Sequence, residues 1–205
     1  MKNQKTYKPE MANMSQMWLD IIIPFVNDYN VKLNSRVISD RTNIPRRTVS
    51  RILNNLASKN IIRYKIEGKN KKYSLDLKDL RTRLLINFVE NYKSFKFSLD
   101  FLDLFVVLEE IIKLNGLVLF GSYVRGDYTK ESDVDILIIG KDSKKIRDLI
   151  RNFNKKINIH FSSLEDFSKL LKNKNTLALE IVENHIIFNC HGFIDLCWGF
   201  YNNEL

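Results

Sequence analysis

The chain of 205 residues lacks the features of secreted, disulfide-bonded and membrane-spanning proteins. It has only two cysteines, Cys190 and Cys197, too few for a disulfide scaffold of this length, and no Cys-x-x-Cys pair of the kind that binds zinc. It has no run of about 18 apolar residues, and its N-terminal stretch lacks the apolar segment of a signal peptide. The sequence therefore predicts a protein of the reducing cytoplasm with no membrane partner.

Positive charge is concentrated in the first part of the chain. Residues 1–80 contain 16 Lys and Arg against 7 Asp and Glu, whereas residues 81–205 contain 17 of each, so the whole net charge of +9 lies in the first 80 residues. A basic block of this size favours phosphate binding, because each neutralised phosphate releases counterions. It predicts nucleic acid as a partner; a solvated basic surface is the alternative.

The basic block has the pattern of three helices and a hairpin. Apolar residues recur at helical spacing from Met17 to Val26, a short helical segment follows Ser35, and Pro45 stands where a third helix can begin. That third helix has an apolar stripe and an opposite basic face. The extended runs IIRYKIE and KKYSLDL flank Gly68, which is typical of a hairpin.

This order of elements resembles the winged helix-turn-helix domains of prokaryotic transcription regulators. The resemblance implies that the third helix approaches the major groove of duplex DNA and that the hairpin, or wing, contacts phosphates. The DNA-binding residues that it implies are Arg46, Arg47, Thr48, Ser50 and Arg51 on the helix and Lys69, Lys71 and Lys72 on the hairpin. Protein docking is the alternative use of such a domain.

The segment LVLFGSYVRGDYTKESDVDILII, residues 117–139, carries the most specific motif. A buried strand ends at Gly121 and Ser122, where a helix can begin and backbone N–H groups can bind phosphate oxygens. Asp133 follows Ser122 by eleven positions, and Asp135 lies on the same face of a second strand. Two carboxylates on one face can share Mg²⁺ or Mn²⁺, which also bind waters and substrate phosphates.

A Gly-Ser turn followed at this distance by Asp-x-Asp resembles the signature of the nucleotidyltransferase superfamily related to DNA polymerase β, in its minimal prokaryotic members. The resemblance covers about residues 100–205. It implies an α/β (α+β) fold with a mixed sheet flanked by helices. It also implies that Asp133 and Asp135 are catalytic and bind the metal, and that Gly121, Ser122 and Arg125 bind the nucleotide.

The third carboxylate of that superfamily is missing. In active members it lies on a later strand and assists the attacking hydroxyl group. The corresponding strand, Ile157 to Phe161, has no acid; Asn158 or His160 stands in its place, depending on the register. Neither side chain supplies the charge of a carboxylate, although a neutral His160 could act as a base. The loop residues Asp127 and Glu131 are further alternatives.

We predict two domains: a tail over residues 1–14, a DNA-binding winged helix over residues 15–80, and a nucleotidyltransferase-like domain over residues 81–205 that begins with a helical connector. The leading hypothesis is a transcription regulator that binds duplex DNA and a nucleoside triphosphate with Mg²⁺. One alternative is an antitoxin-like nucleotidyltransferase that modifies a protein, with the winged helix as docking module. Another is a DNA-binding protein whose nucleotidyltransferase fold is inactive. A homodimer is compatible with each, since winged-helix regulators often read paired half-sites.

Overall fold

The computed structural model describes residues 16–151 and 156–203, so the predicted tail over residues 1–14 lies outside the described residues. The helices in these ranges are α1 Gln16–Val26, α2 Ser35–Thr42, α3 Arg46–Ser58, α4 Leu80–Asp100, α5 Leu102–Ile112, α6 Ser122–Arg125, α7 Lys144–Arg151, α8 Leu164–Lys172, α9 Thr176–Glu183 and α10 His191–Asn202. The strands are β1 Ile62–Glu67, β2 Asn70–Leu75, β3 Gly116–Phe120, β4 Val134–Ile139, β5 Ile157–Ser162 and β6 Ile186–Phe188.

The N-terminal part consists of three helices and an antiparallel hairpin. Asn34 caps α2, because its side chain accepts hydrogen bonds from the backbone N–H groups of Arg36 and Val37. Pro45 directly precedes α3, where its missing N–H costs no hydrogen bond. Strands β1 and β2 form the hairpin, and a bridge between Leu33 and Tyr73 adds a short third strand segment to it. Assignment of this part to the winged-helix class stays a prediction.

The second part contains a four-stranded sheet in the order β5-β4-β3-β6. Strands β4 and β5 are parallel, while β3 is antiparallel to both β4 and β6. The predicted mixed sheet flanked by helices is therefore confirmed. The domain boundaries that we place at residues 15, 80 and 205 stay a prediction.

The two faces of this sheet bury different cores. On one face, Leu119 and Ile136 pack with the buried side chains of α5 and α7. On the other face, Phe120 and Leu137 join a cluster that includes buried residues of α1, α3, α9 and α10. The N-terminal helices and the sheet thus share one continuous hydrophobic core.

A buried polar cluster, formed by Tyr29, Glu90, Lys93 and His185, lies inside that shared core; we call it the junction cluster. Glu90 accepts hydrogen bonds from the Tyr29 hydroxyl at 3.1 Å and from Nε2 of His185 at 2.8 Å, and Nζ of Lys93 lies 3.0 Å from its second oxygen. Burial opposes ionisation of Glu90, but Lys93 and His185 outweigh it and hold the pKa of this carboxyl below its ordinary value.

Helix α4, with 21 residues, connects the two parts. Asp79 caps its start by accepting a hydrogen bond from the N–H of Arg81. Its inner face buries Leu85, Ile86 and Val89 in the shared core. No helix in the described ranges, α4 included, is long and apolar enough to cross a membrane.

Candidate active site

Gly121 forms the turn between β3 and α6, and the local geometry requires glycine. Its backbone has φ 76° and ψ −153°, a conformation that side chains with a Cβ rarely adopt. A Cβ at this position would also collide with Oδ2 of Asp135, which lies opposite Phe120 in the β3–β4 pairing. The absence of a side chain therefore lets the Asp135 carboxylate lie directly against the turn.

The two predicted acidic residues lie together at the beginning of β4. Asp133 directly precedes the strand, and Asp135 is its second residue, so their side chains point to the same face. Nδ2 of Asn158 lies 2.9 Å from Oδ1 of Asp135 and 3.3 Å from Oδ2 of Asp133. Because both carboxylates reach one nitrogen, their oxygens converge on a single small region.

The register between β4 and β5 selects one of the two candidates for the third position. Asp135 pairs with Asn158, and Leu137 pairs with His160. His160 therefore lies two residues farther along the strand, where its ring is exposed and 5.7 Å from the ring of Phe120. Asn158, and not His160, occupies the position beside the two acids.

Lys156 also contacts the acidic pair, and the sequence analysis did not identify it. Its Nζ lies 2.6 Å from Oδ2 of Asp133. This hydrogen bond, helped by the one from Asn158, holds the pKa of the Asp133 carboxyl below its ordinary value despite partial desolvation. The Lys156 side chain is 72% exposed, so the ion pair is screened by solvent and adds little stability. A cation can therefore displace this ammonium group at low cost.

The acidic pair has the chemistry of a divalent cation site. Mg²⁺ usually binds one or two protein carboxylates and completes its octahedron with waters and substrate phosphates. Asp133 and Asp135 provide two convergent carboxylates, and the lowered pKa keeps Asp133 ionised, as a metal ligand must be. The described residues contain no cluster of three or more His, Cys, Asp or Glu that would hold a metal without further ligands.

Arg125, the predicted nucleotide-binding arginine, lies at the end of α6. Its guanidinium contacts the carboxylate of Glu180 at 2.7 Å and that of Asp127 at 3.3 Å. Asp127, one of the two alternative loop acids, is therefore paired with Arg125. Arg125 borders a cavity of about 610 Å³ between α1, α2, α4 and α6. Arg41 and Lys96 line the same cavity, whereas the acidic pair does not. Arg125 thus shares this cavity with residues of the N-terminal helices and of α4.

The predicted DNA-binding residues of α3 differ in their exposure. Arg47 and Arg51 are exposed, and Thr48 and Ser50 are half-buried. Arg46 is exposed as well, but its Nε lies 3.3 Å from Oγ of Ser35. Two arginines of this helix therefore extend from the protein surface.

The hairpin packs against α3 through a polar contact. Lys71 and Tyr73 both donate to Oδ1 of Asn54, at 3.1 and 3.0 Å, and Nζ of Lys71 lies 4.4 Å from the ring centre of Tyr64. Lys72 is half-buried, whereas Lys69 at the tip is exposed. Lys69 is thus the hairpin lysine with most freedom to reach a partner.

Sequence comparisons give matches to the second part of the chain. The nucleotidyltransferase domain family matches residues 104–189. Three proteins of Methanocaldococcus jannaschii that carry the provisional name protein adenylyltransferase are similar to it. One is 34% identical over 94 residues, which span 45% of this chain and 73% of the relative. Another is 36% identical over 89 residues, 40% of this chain and 84% of the relative. The third is 32% identical over 77 residues, which span 37% of this chain and 57% of the relative. No solved structure is significantly similar.

Proposed function

The chain belongs to the nucleotidyltransferase domain family, and from this membership we propose that it transfers a nucleoside monophosphate from a nucleoside triphosphate to a hydroxyl group of a protein. The observation that carries the proposal is the convergence of Asp133 and Asp135 beside Gly121. The name protein adenylyltransferase on the relatives supports ATP as donor and a protein as acceptor.

In this proposal the chain's own residues bind and orient the triphosphate. The backbone N–H groups at the Gly121 turn and the Ser122 hydroxyl bind phosphate oxygens. Asp133 and Asp135 would hold Mg²⁺ or Mn²⁺, which when bound neutralises charge on the phosphates. Asn158 donates to both carboxylates and so fixes their orientation. Arg125 would need to leave Glu180 to reach a phosphate group.

The bond changes follow from the chemistry of phosphoryl transfer. The acceptor oxygen attacks the α-phosphorus, the bond from that phosphorus to the bridging oxygen breaks, and pyrophosphate leaves. Asn158 cannot take the acceptor's proton, because an amide is not a base, so this proton passes to solvent. Phosphoryl transfer depends mainly on positioning and electrostatic stabilisation, and a general base contributes roughly 10²- to 10⁴-fold. We therefore expect a slow transferase.

The decisive experiment follows incorporation of label from α-³²P-labelled ATP into protein, with the purified chain alone and with a cell extract as acceptor source. Asp133→Asn and Asp135→Asn should each abolish labelling, whereas Asp148→Asn, an exposed aspartate on α7, should not. A parallel thermal-shift measurement with Mg²⁺ and ATP reports nucleotide binding by itself. Stabilisation without labelling would reduce the domain to a nucleotide sensor. No stabilisation would contradict the proposed site and favour an inactive fold.

As a second function we propose that residues 15–80 bind duplex DNA. Two observations support it: the net charge of the chain is confined to the first 80 residues, and Arg47, Arg51 and Lys69 are exposed on α3 and the hairpin tip. Fluorescence anisotropy with a random duplex at rising salt tests it, because phosphate contacts make affinity fall steeply with salt. Arg47→Ala/Arg51→Ala should weaken binding and flatten the salt slope. Arg147→Ala, on α7, is the control. Salt-independent or absent binding would instead favour docking of a protein acceptor.

A further inference from the structure

The outer face of α4 is apolar although it is exposed to solvent. We define the α4 stripe as Leu84, Phe88, Phe95 and Leu99, which are 63%, 54%, 61% and 64% exposed. The opposite face of the same helix is buried in the shared core. A helix that is apolar on both faces is normally covered on both. The α4 stripe is therefore a candidate interface.

The apolar surface extends beyond both ends of the α4 stripe. Leu80, at the first residue of α4, is 68% exposed, and Leu102, at the first residue of α5, is 61% exposed. A groove of about 410 Å³ at the corner between α4 and α5 is lined in part by Leu99, Leu102 and Tyr128. This groove could receive an apolar side chain from a partner.

The spacing of these residues is symmetrical about the middle of α4. Leu84 and Leu99 are equally far from the midpoint between Asn91 and Tyr92, and so are Phe88 and Phe95. We propose that a second copy of this chain covers the α4 stripe, with the two α4 helices packed antiparallel about a two-fold axis at that midpoint. Such an interface is self-complementary, as two-fold symmetry demands.

The antiparallel arrangement matches apolar residues along the whole helix. Leu84 of one copy lies opposite Leu99 of the other, and Phe88 lies opposite Phe95. Leu80 of one copy comes near the beginning of α5 of the other, at the groove that Leu102 lines. Asn91, which is exposed, flanks the axis, and a single polar residue in an apolar seam commonly fixes the register of paired helices.

The apolar area approaches that of a standard protein interface. Leu80, Leu84, Phe88, Phe95, Leu99 and Leu102 each expose more than half of their surface. At roughly 100 Å² for each of these side chains, the patch amounts to about 600 Å² per copy. The polar residues at its edges bring this close to the roughly 800 Å² per partner of a standard interface.

The charges at the ends of α4 also favour an antiparallel pair. Lys78, Asp79 and Arg81 at its beginning have a net charge of +1 (two positive, one negative), whereas Asp100 and Asp103 at its end are both acidic. An antiparallel partner brings the acidic end of one copy to the basic end of the other, whereas a parallel partner would place like charges together. Arg81 already contacts Asp79 of its own chain, so it would join a network rather than form a new isolated pair.

The first test measures the mass of the full chain in solution by light scattering during size-exclusion chromatography. We expect twice the monomer mass for the wild type and the monomer mass for Phe88→Asp/Phe95→Asp, whose dissociation constant should rise about a hundredfold or more. Leu170→Asp, at an exposed leucine of α8, should remain dimeric. Circular dichroism checks that the variants are folded. A monomeric wild type, or a double variant that stays dimeric, would overturn the proposal.

The second test determines the orientation with a short bis-maleimide cross-linker. A chain with Leu84→Cys is mixed with a differently tagged chain with Leu99→Cys, and the wild type, with its native cysteines, is the control. We expect covalent heterodimers from the mixture. Leu84→Cys alone should give few cross-linked dimers, because the two copies of residue 84 lie roughly 22 Å apart along an antiparallel pair of helices. Equal cross-linking of Leu84→Cys with itself would show a parallel pair and contradict the proposed axis.

Discussion

The side-chain amide of Asn158 donates a hydrogen bond of 2.9 Å to the carboxylate of Asp135. The same nitrogen lies 3.3 Å from Asp133, so one neutral side chain orients both acids. An oxygen at the position of this nitrogen would instead accept a proton or bind a cation. The site therefore differs from one with three carboxylates by a single side-chain group, and that difference can be tested directly.

Asn158→Asp should increase the rate of nucleotidyl transfer by about tenfold or more, because general-base assistance contributes roughly 10²- to 10⁴-fold when the geometry is ideal. Without metal this variant should be less stable than the wild type, since three carboxylates then repel one another. With Mg²⁺ its thermal stabilisation should exceed that of the wild type. Asn158→Ala is the control, because it removes the hydrogen bonds without adding charge. Equal rates for the Asp and Ala variants would exclude a role for charge at this position.

Lys156→Met should tighten the binding of Mn²⁺ alone, by about threefold, because a divalent ion no longer has to displace the ammonium group from Asp133. The pKa of Asp133 should rise towards its ordinary value, since the hydrogen bond from Lys156 is the main cause of its depression. Electron paramagnetic resonance of free Mn²⁺ measures the first effect. Lys172→Met, on α8, should leave Mn²⁺ affinity unchanged. Weaker Mn²⁺ binding by Lys156→Met would contradict this account.

Gly121→Ala should abolish stabilisation by Mg²⁺ and ATP and lower the free energy of unfolding by about 2 kcal/mol or more. Gly126→Ala is the control for a positive φ. Gly126 has φ 81° and ψ 12°, in the left-handed helical region, and a Cβ there would meet no other atom within 4 Å. Gly121→Ala has a larger backbone cost, because ψ −153° at positive φ is a conformation that only glycine adopts readily, and it adds the collision with Asp135. Denaturant unfolding and thermal shifts compare the two. Equal loss of nucleotide binding would rule out the contact with Asp135 as the cause.

Glu90→Gln should lower the free energy of unfolding by about 3 kcal/mol at neutral pH, because it leaves the charge of Lys93 buried without its counterion. The folded-state pKa of Glu90 lies below its ordinary value of 4.5. Its contribution to stability is therefore complete above that value and is lost as the pH falls through the lower folded-state pKa. The difference in stability between wild type and variant should shrink over the same acidic range.

Glu110→Gln is the control for this pH dependence. The pKa of Glu110 is also lowered, by its hydrogen bond with Lys113, but both residues lie on the surface. Solvent screens such a pair, so Glu110→Gln should change stability little at any pH. Urea unfolding monitored between neutral pH and pH values below the ordinary pKa of Glu90 measures both variants. A comparable effect of the two substitutions would show that burial of the junction cluster is unimportant.

The local part of the site can be predicted from the sequence, and the part that depends on pairing between distant strands cannot. Gly121, Ser122, Asp133 and Asp135 lie in one continuous motif, which a sequence pattern identifies together with the mixed sheet. The choice between Asn158 and His160 needs the register of β4 against β5. The contact of Lys156 with Asp133 has the same origin, because it connects the residues that directly precede two parallel strands.

The apolar pattern of α4 shows a different limit. Leu84, Leu85, Phe88 and Val89 give a broken helical period, which predicts a connector with helical tendency. In the structure, Leu85 and Val89 face the shared core while Leu84 and Phe88 face solvent. When a helix is apolar on two faces, its apolar residues no longer recur at the 3.6-residue spacing that distinguishes a buried face from an exposed one. The sequence therefore predicts the helix but not its exposed face.

The shared core has a consequence for how the chain can be divided. Tyr29, from the N-terminal part, donates to Glu90 of α4, and α1 packs in the same cluster as α9 and α10. Cleavage near residue 80 would expose this apolar surface on both fragments. Neither fragment would keep the packing of the intact chain. The intact chain should therefore unfold in a single cooperative thermal transition. The basic segment is thus part of the scaffold on which the acidic pair is built.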